Sequence, residues 1–290
     1  MQLAQRTEAQ GRRAVILNAD SAQVYADLQI LSARPTQAEM GGIEHRLFGT
    51  WDGATPCSAA DWADAARSEI AALHEAGAVP ILVGGTGLYL RTLIEGIAPV
   101  PAVDPQIRAE VRAMEQAAAH AALAREDPAA ASRIAPADQA RTMRALEVIR
   151  STGKPLREWQ KDKRGGIGGS VSLHPLLLLP PRAWLYERCD RRFAAMLEGG
   201  AREEVMALLA RHLDPQLPVM RAIGVREVAG LIEGRLSADE ALAAGQQATR
   251  RYAKRQYTWF SHQPPGDYPR CESESCDIKS YFVSLLRFEG

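Results

Sequence analysis

The chain has 290 residues, 46% of them apolar, with 35 basic and 35 acidic side chains and a formal net charge of zero. That length suffices for one large core, or for one core with a smaller domain inserted in it, and the neutral total excludes a global field drawing the protein to nucleic acid or an acidic membrane. No apolar run approaches the ~20 residues of a membrane span, the opening "MQLAQRTEAQGRR" lacks a signal-peptide stretch, and the expected location is the cytoplasm.

The opening reads as the tail of a helix closed by Gly11, followed by the strand AVILNA. Asp20 stands at the tip of that strand, with Ser21 and Gln23 behind it. A carboxylate so placed is partly desolvated and suited to general-base work, and equally suited to capping a helix. A helix capped near Ser58 runs to Gly77 and is followed by the strand VPILVG, apolar on both faces as in a covered parallel sheet. The turn GGTG then carries Thr86 at a helix start, a position that favours anions, and its glycines would let backbone approach a ligand. Strands alternating with helices predict an α/β sheet with right-handed crossovers and ligands beyond the carboxyl ends of the strands.

After "GIAPVPAVDP" the pattern turns to alanine-rich helices through "PLREWQ", which reads as an inserted all-helical domain over residues 101–170, closed by a flexible glycine linker at 161–170. The core is assigned to residues 1–100 and 171–265, and residues 266–290 to a tail. The second core segment holds a strand in "LHPLLLLP", two helices, and a last helix that starts at Ser237, where Glu240 completes a capping box. Cys57, Cys189, Cys271 and Cys276 read as free thiols, and "CESESC" has no second ligand pair for a metal.

Three groups of basic residues stand out within the neutral total. In "ERCDRRF" Arg188 and Arg192 fall one helical turn apart and repel each other unless an anion joins them. "RRYAKRQYTWF" sets Arg250, Lys254 and Arg255 among Tyr252, Tyr257, Trp259 and Phe260, which serves either RNA contacts and stacking or an ordinary packed helix. The 141–164 stretch and "RAIGVR" add further cations.

Taken in order, "NADSAQVY", "LSARPT", "PILVGGTGLYLRTLIEGIAPVP", "DPQIR", "RTMRALEV", "TGKPL", "RAIGVREV" and "ATRRYAKRQYTWF" resemble the bacterial tRNA dimethylallyltransferases. The resemblance implies a P-loop-NTPase-like α/β core with an inserted helical domain. It also implies transfer of a dimethylallyl group from its diphosphate to N6 of adenosine 37 in tRNAs that read codons starting with U. Asp20 is then the base, Thr86 bonds near the scissile oxygen, Arg192 neutralises the diphosphate, and Ser21, Ala22 and Gln23 hold the flipped adenine. The anticodon stem-loop falls to Arg108, to Ala140, Arg141, Thr142, Met143 and Arg144, and to Arg221, Ala222, Ile223, Gly224, Val225 and Arg226. Magnesium is expected on the diphosphate, and a monomer in solution. Ala140 stands where glutamine is usual and Val225 where tyrosine is usual.

One departure is larger. Members of the family open with an apolar strand and a loop of the form GPTxSGK[ST], and this sequence contains neither. The expectation is that neighbouring strands keep unpaired edges and that this chain holds dimethylallyl diphosphate weakly. Two other readings compete. An adenylate isopentenyltransferase would keep Asp20 and Thr86 but would not need the basic helices, and a non-catalytic tRNA-binding remnant would keep the helices without transfer.

Overall fold

The computed structural model describes residues 1–286. The chain divides into two compact units, one made of Thr92–Ser170 and the other of Met1–Arg91 with the chain from Val171 onward. Among the described residues no helix is long and apolar enough to cross a membrane.

The first unit opens with α1 (Gln2–Ala9) and β1 (Ala14–Asn18). All five residues of β1 are buried, which explains its unbroken apolar sequence. β1 is the middle of a three-stranded parallel sheet, between β2 (Glu44–Arg46) and β3 (Val79–Val83), with Ile16 opposite His45 on one side and Ile81 on the other. Helix α2 (Ala59–Glu75) forms the crossover to β3 and buries Trp62, Ala66, Ile70 and Leu73, a stripe at helical spacing. Its start is the expected one: Ser58 Oγ accepts from the Asp61 N–H at 3.2 Å, and Asp61 returns the bond to the Ser58 N–H at 3.0 Å. Trp62 has no exposed surface and donates its indole N–H to the Asn18 carbonyl at 2.8 Å, fixing the helix to the tip of β1.

β3 departs from the expectation of a strand covered on both faces, because only Val79 is buried and Val83 is 50% exposed. Among the described residues, β3 has a strand partner only in β1. The "LHPLLLLP" stretch likewise forms a strand only at Leu177–Leu178 (β4), which pairs with Arg270–Cys271 (β5) in a separate two-stranded parallel sheet. Among the described residues, β2 and β3 are the edge strands of the larger sheet.

α3 (Gly87–Glu95) leads out of the β3 turn and into the helical unit. There the alanine-rich segment forms α4 (Pro105–Arg112) and α5 (Gln116–Glu126), separated at residues 113–115. The next long segment yields α6 (Gln139–Thr152), with single helical turns on either side. The core is built from Val111, Ala119, Ala122, Leu123, Ala145 and Leu146, and the alanines allow close helix approach. Glu147 is 4% exposed, and Arg112 Nε donates to it at 3.1 Å, so the buried charge is compensated. The glycine stretch at 161–170 is not a loose linker. Arg164 and Ile97 exchange two backbone hydrogen bonds of 2.9 Å, and a Cβ on Gly166 would fall 2.5 Å from the Glu95 carbonyl carbon.

The chain then completes the first unit with α7 (Arg182–Glu198), α8 (Ala201–Leu209), α9 (Val225–Ile232) and α10 (Ala238–His262). α10 begins at the Ser237–Glu240 capping box read from the sequence. It crosses α7 closely at Gly245, where a Cβ would lie 2.0 Å from the buried Phe193 ring. The tail returns to α1, where Gln10 Nε2 donates to the Leu286 carbonyl at 2.6 Å.

Candidate active site

Asp20 follows β1 directly, and its placement depends on a residue that the sequence reading passed over. Asn18 is fully buried, donates from Nδ2 to the Asp20 and Leu47 carbonyls at 3.0 Å each, and accepts from the Asp20 N–H at 2.8 Å. A wholly buried amide at the end of an apolar strand was the signal that marks such a bracket. Asp20 Oδ1 in turn accepts from the Ala22 N–H at 2.8 Å, which closes a turn; no helix starts there, so Asp20 is not a helix cap. Burial lifts the Asp20 carboxyl above its ordinary range, and the N–H groups of Ala22 and Gln23 and the Arg192 charge only partly offset that rise. The result is a carboxylate more basic than one in water, with a cation nearby.

Thr86 stands beside it because the ends of β1 and β3 are laced together. Ala19 N–H donates to the Val83 carbonyl at 2.8 Å, and Thr86 N–H donates to the Ala19 carbonyl at 3.1 Å. The Thr86 hydroxyl oxygen then accepts from the Ser21 N–H at 2.9 Å and lies 3.1 Å from the Ser21 hydroxyl. Asp20, Ser21 and Thr86 thus share one end of the parallel sheet, and the charge of the exposed Arg192 on α7 is felt at Asp20. Arg188, one turn earlier, instead stacks its guanidinium over Trp184 at 5.3 Å.

The GGTG glycines are closely packed by the protein itself. A Cβ on Gly84 would sit 2.2 Å from the Ala19 carbonyl carbon, one on Gly85 2.1 Å from Gln256 Nε2, and one on Gly87 2.4 Å from the Trp259 ring. The turn is therefore filled by α10. The aromatics of that helix are likewise engaged within the protein, with Arg91 over Trp259 at 5.2 Å, Arg182 over Tyr257 at 4.7 Å, and Phe260 edge-on to Trp259 at 4.8 Å. This favours the packed-helix alternative over a stacking platform for RNA. Of the cations, Arg250 pairs with Asp190 at 2.5 Å, Arg255 lies over Tyr252, and Lys254 is exposed.

The remaining candidates divide by exposure. Gln23 donates from Nε2 to the Ser32 and Ala33 carbonyls at 3.0 and 2.8 Å, which ties its side chain to that loop. Arg221 and Arg226 are exposed, Ala222 and Ile223 are half-buried, and Gly224 and Val225 are buried at the start of α9, so Val225 supplies no outward contact. Within the helical unit Arg108, Ala140 and Arg141 are exposed, Met143 and Arg144 are half-buried, and Thr142 has no exposed surface.

The model of the family described as IPP transferase matches residues 23–263. The chain belongs to the IPP transferase family. It is 61% identical over 288 residues to a tRNA dimethylallyltransferase of Erythrobacter litoralis, covering 99% of this chain and 91% of that protein. It is 64% identical over 277 residues to a tRNA dimethylallyltransferase of Novosphingobium aromaticivorans, covering 96% and 99% respectively. The α/β fold is that of solved family members. A full-length tRNA isopentenylpyrophosphate transferase of Bacillus halodurans superposes with a TM-score of 0.66 at 30% identity, over 98% of this chain and 89% of that one. A eukaryotic dimethylallyltransferase acting on tRNA shares the fold, with a TM-score of 0.77 at 23% identity over 98% and 73%. Family membership makes this chain a prenyltransferase.

Proposed function

We propose that the protein transfers a dimethylallyl group from dimethylallyl diphosphate to N6 of adenosine 37 in the anticodon stem-loop of tRNAs that read codons starting with U. The observation that carries this reading is the lacing of the Asp20–Ser21 segment to Thr86 at one end of the sheet, within the field of Arg192, in a chain of this family. The exocyclic amine of adenine is a weak nucleophile, so bond formation to the allylic carbon must be accompanied by loss of its proton. Asp20 takes that proton, and its raised basicity suits the task. As the N6–C1 bond forms, the C1–O bond breaks and pyrophosphate leaves. Arg192 offsets the charge that grows on the leaving oxygens, and Thr86 offers its hydroxyl to them. The adenine must first be turned out of its stack, and the Ser21–Gln23 segment borders the place it would occupy.

Magnesium is proposed as a companion of the diphosphate. Magnesium is commonly held by one or two protein groups together with substrate phosphates and water, and the diphosphate oxygens would supply most of its ligands here. No step here is routed through it. A protein that works alone in solution, as a monomer, suffices for this chemistry.

The test is transfer of labelled dimethylallyl from its diphosphate to three acceptors: an anticodon stem-loop with adenosine at position 37, the same stem-loop with guanosine there, and free AMP. Label on the first alone is expected. Better use of AMP would establish an adenylate isopentenyltransferase, and salt-sensitive tRNA binding without transfer would establish a binding remnant.

A further inference from the structure

Tyr252 is a side chain the reading so far leaves idle. It belongs to α10, on the same helical strip as Gln256 and Trp259, four and seven residues further on. That strip lies along the β3–α3 turn: Gln256 Nε2 donates to the Gly85 carbonyl at 3.0 Å, and Trp259 fills the space over Gly87. One turn earlier on the helix, Tyr252 reaches the start of the same turn. Tyr252 is half-buried there, near enough to Asp20, Ser21 and Thr86 for each to act on its ionisation, and the Arg255 guanidinium lies 5.4 Å from its ring centroid.

The hydroxyl inventory at this point is tight. Thr86 and Ser21 have one proton each, and the Thr86 oxygen already accepts the Ser21 N–H. In the resting arrangement the two hydroxyls bond to each other at 3.1 Å, which turns the Thr86 proton inward when that residue is the donor. A third hydroxyl that donates into the pair lets the Thr86 proton turn outward without leaving an oxygen unpaired. Burial, and after it the Asp20 charge, push the phenol above its ordinary pKa, only partly offset by the Thr86 and Ser21 hydroxyls and the Arg255 charge, so it stays protonated and able to donate.

We infer that Tyr252 is a positioning residue for the transfer reaction: its phenol donates into the Ser21–Thr86 hydroxyl pair and directs the Thr86 proton toward the leaving oxygen of the substrate. This rests on the transferase reading above and deepens it at the same site. No bond to Tyr252 forms or breaks, and it carries no net proton.

The experiment uses the full chain with Tyr252→Phe, Thr86→Val and the double variant, because Phe keeps the ring and its packing while removing the hydroxyl alone. Expected is a fall in kcat of roughly tenfold for Tyr252→Phe, the size of one lost hydrogen bond, with the KM for the stem-loop and the urea midpoint unchanged. The double variant should be no slower than Thr86→Val by itself, because the phenol acts only through that hydroxyl. Wild-type kcat in Tyr252→Phe, or losses that multiply in the double variant, would overturn the inference. Ultraviolet titration of tyrosinate, taken as wild type minus Tyr252→Phe, needs no substrate. A Tyr252 phenol that ionises like free tyrosine and ignores Asp20→Asn removes the contact on which the inference stands. If wild type transfers nothing to any acceptor, it is the transferase reading that falls, and the titration separates the two failures.

Discussion

Gln256 Nε2 donates to the carbonyl of Gly85 at 3.0 Å, which joins the last long helix to the turn that carries Thr86. The turn and the helix are built for each other, since the space beside Gly85 and Gly87 is taken by Gln256 and Trp259. Gly87→Ala is therefore expected to displace α10 or the turn, at a cost of about 1–3 kcal/mol for overpacking, and to lower transfer more than that loss of stability explains. Urea midpoints compared with kcat on the folded fraction check this. Gly84→Ala should be worse, because its Cβ would meet the Ala19 backbone, which cannot yield as a side chain can.

Asp20 sets function against stability. A base works only when ionised, so the rate falls as pH drops through the folded-state pKa of Asp20, and burial places that limb above the range of an ordinary aspartate. Asp20→Asn should abolish the limb and cut kcat by about 10²–10⁴-fold. A pH–rate profile of the two proteins decides it.

The same shift has a stability sign opposite to that of most aspartates. Because the folded pKa lies above the unfolded value, ionising Asp20 costs more in the folded protein, and the penalty is complete above the folded pKa. Asp20→Asn is thus expected to raise the urea midpoint at neutral pH. The difference should shrink as pH falls through the folded pKa and vanish below the model-compound value of 3.8. A variant less stable than wild type at neutral pH would show that the carboxylate's hydrogen bond to Ala22 outweighs its desolvation.

Glu204 gathers three consecutive backbone donors, the N–H groups of Gln29, Ile30 and Leu31, at 2.5, 2.7 and 2.9 Å. This clamp holds the loop whose far end is gripped by Gln23. Glu204→Ala strands all three donors and should cost about 2–4 kcal/mol, read as a lower urea midpoint, while Glu204→Gln should retain part of the bonding.

In the helical unit exposure predicts which substitutions act on RNA. The Arg141 side chain is 77% exposed, with only Asp138 as a partner at 3.4 Å. Arg141→Ala should weaken stem-loop binding and reduce the salt slope of log K by about 1. Thr142 is wholly buried, so Thr142→Val should change thermal stability and leave the salt slope alone. Equal slopes for wild type and Arg141→Ala would remove Arg141 from the interface.

Asp20 and Thr86 were legible because both stand at the carboxyl ends of apolar strands, where a parallel sheet opens to ligands. The helix starts at Ser58 and Ser237 were legible because a capping box is a local device written into four residues. β2 was not, since Glu-His-Arg carries no apolar signal and exists as a strand only through its pairing with β1. The order of residues 161–170 was hidden too: glycines suggest freedom, yet here the Ile97–Arg164 bridge holds them. The inward face of α10 was the hardest to read. Arginines and aromatics alternate along it, and only the shape of the glycine turn decides which side of the helix is covered.

The docking of α10 also bears on how the protein comes into being on the ribosome. Asp20 and Thr86 emerge early and are brought together by neighbouring strands, whereas Arg192, and after it Tyr252, Gln256 and Trp259, leave the exit tunnel late. A nascent chain halted before α10 has Asp20 and Thr86 side by side but lacks the Gln256 and Trp259 side chains that pack against the glycine turn.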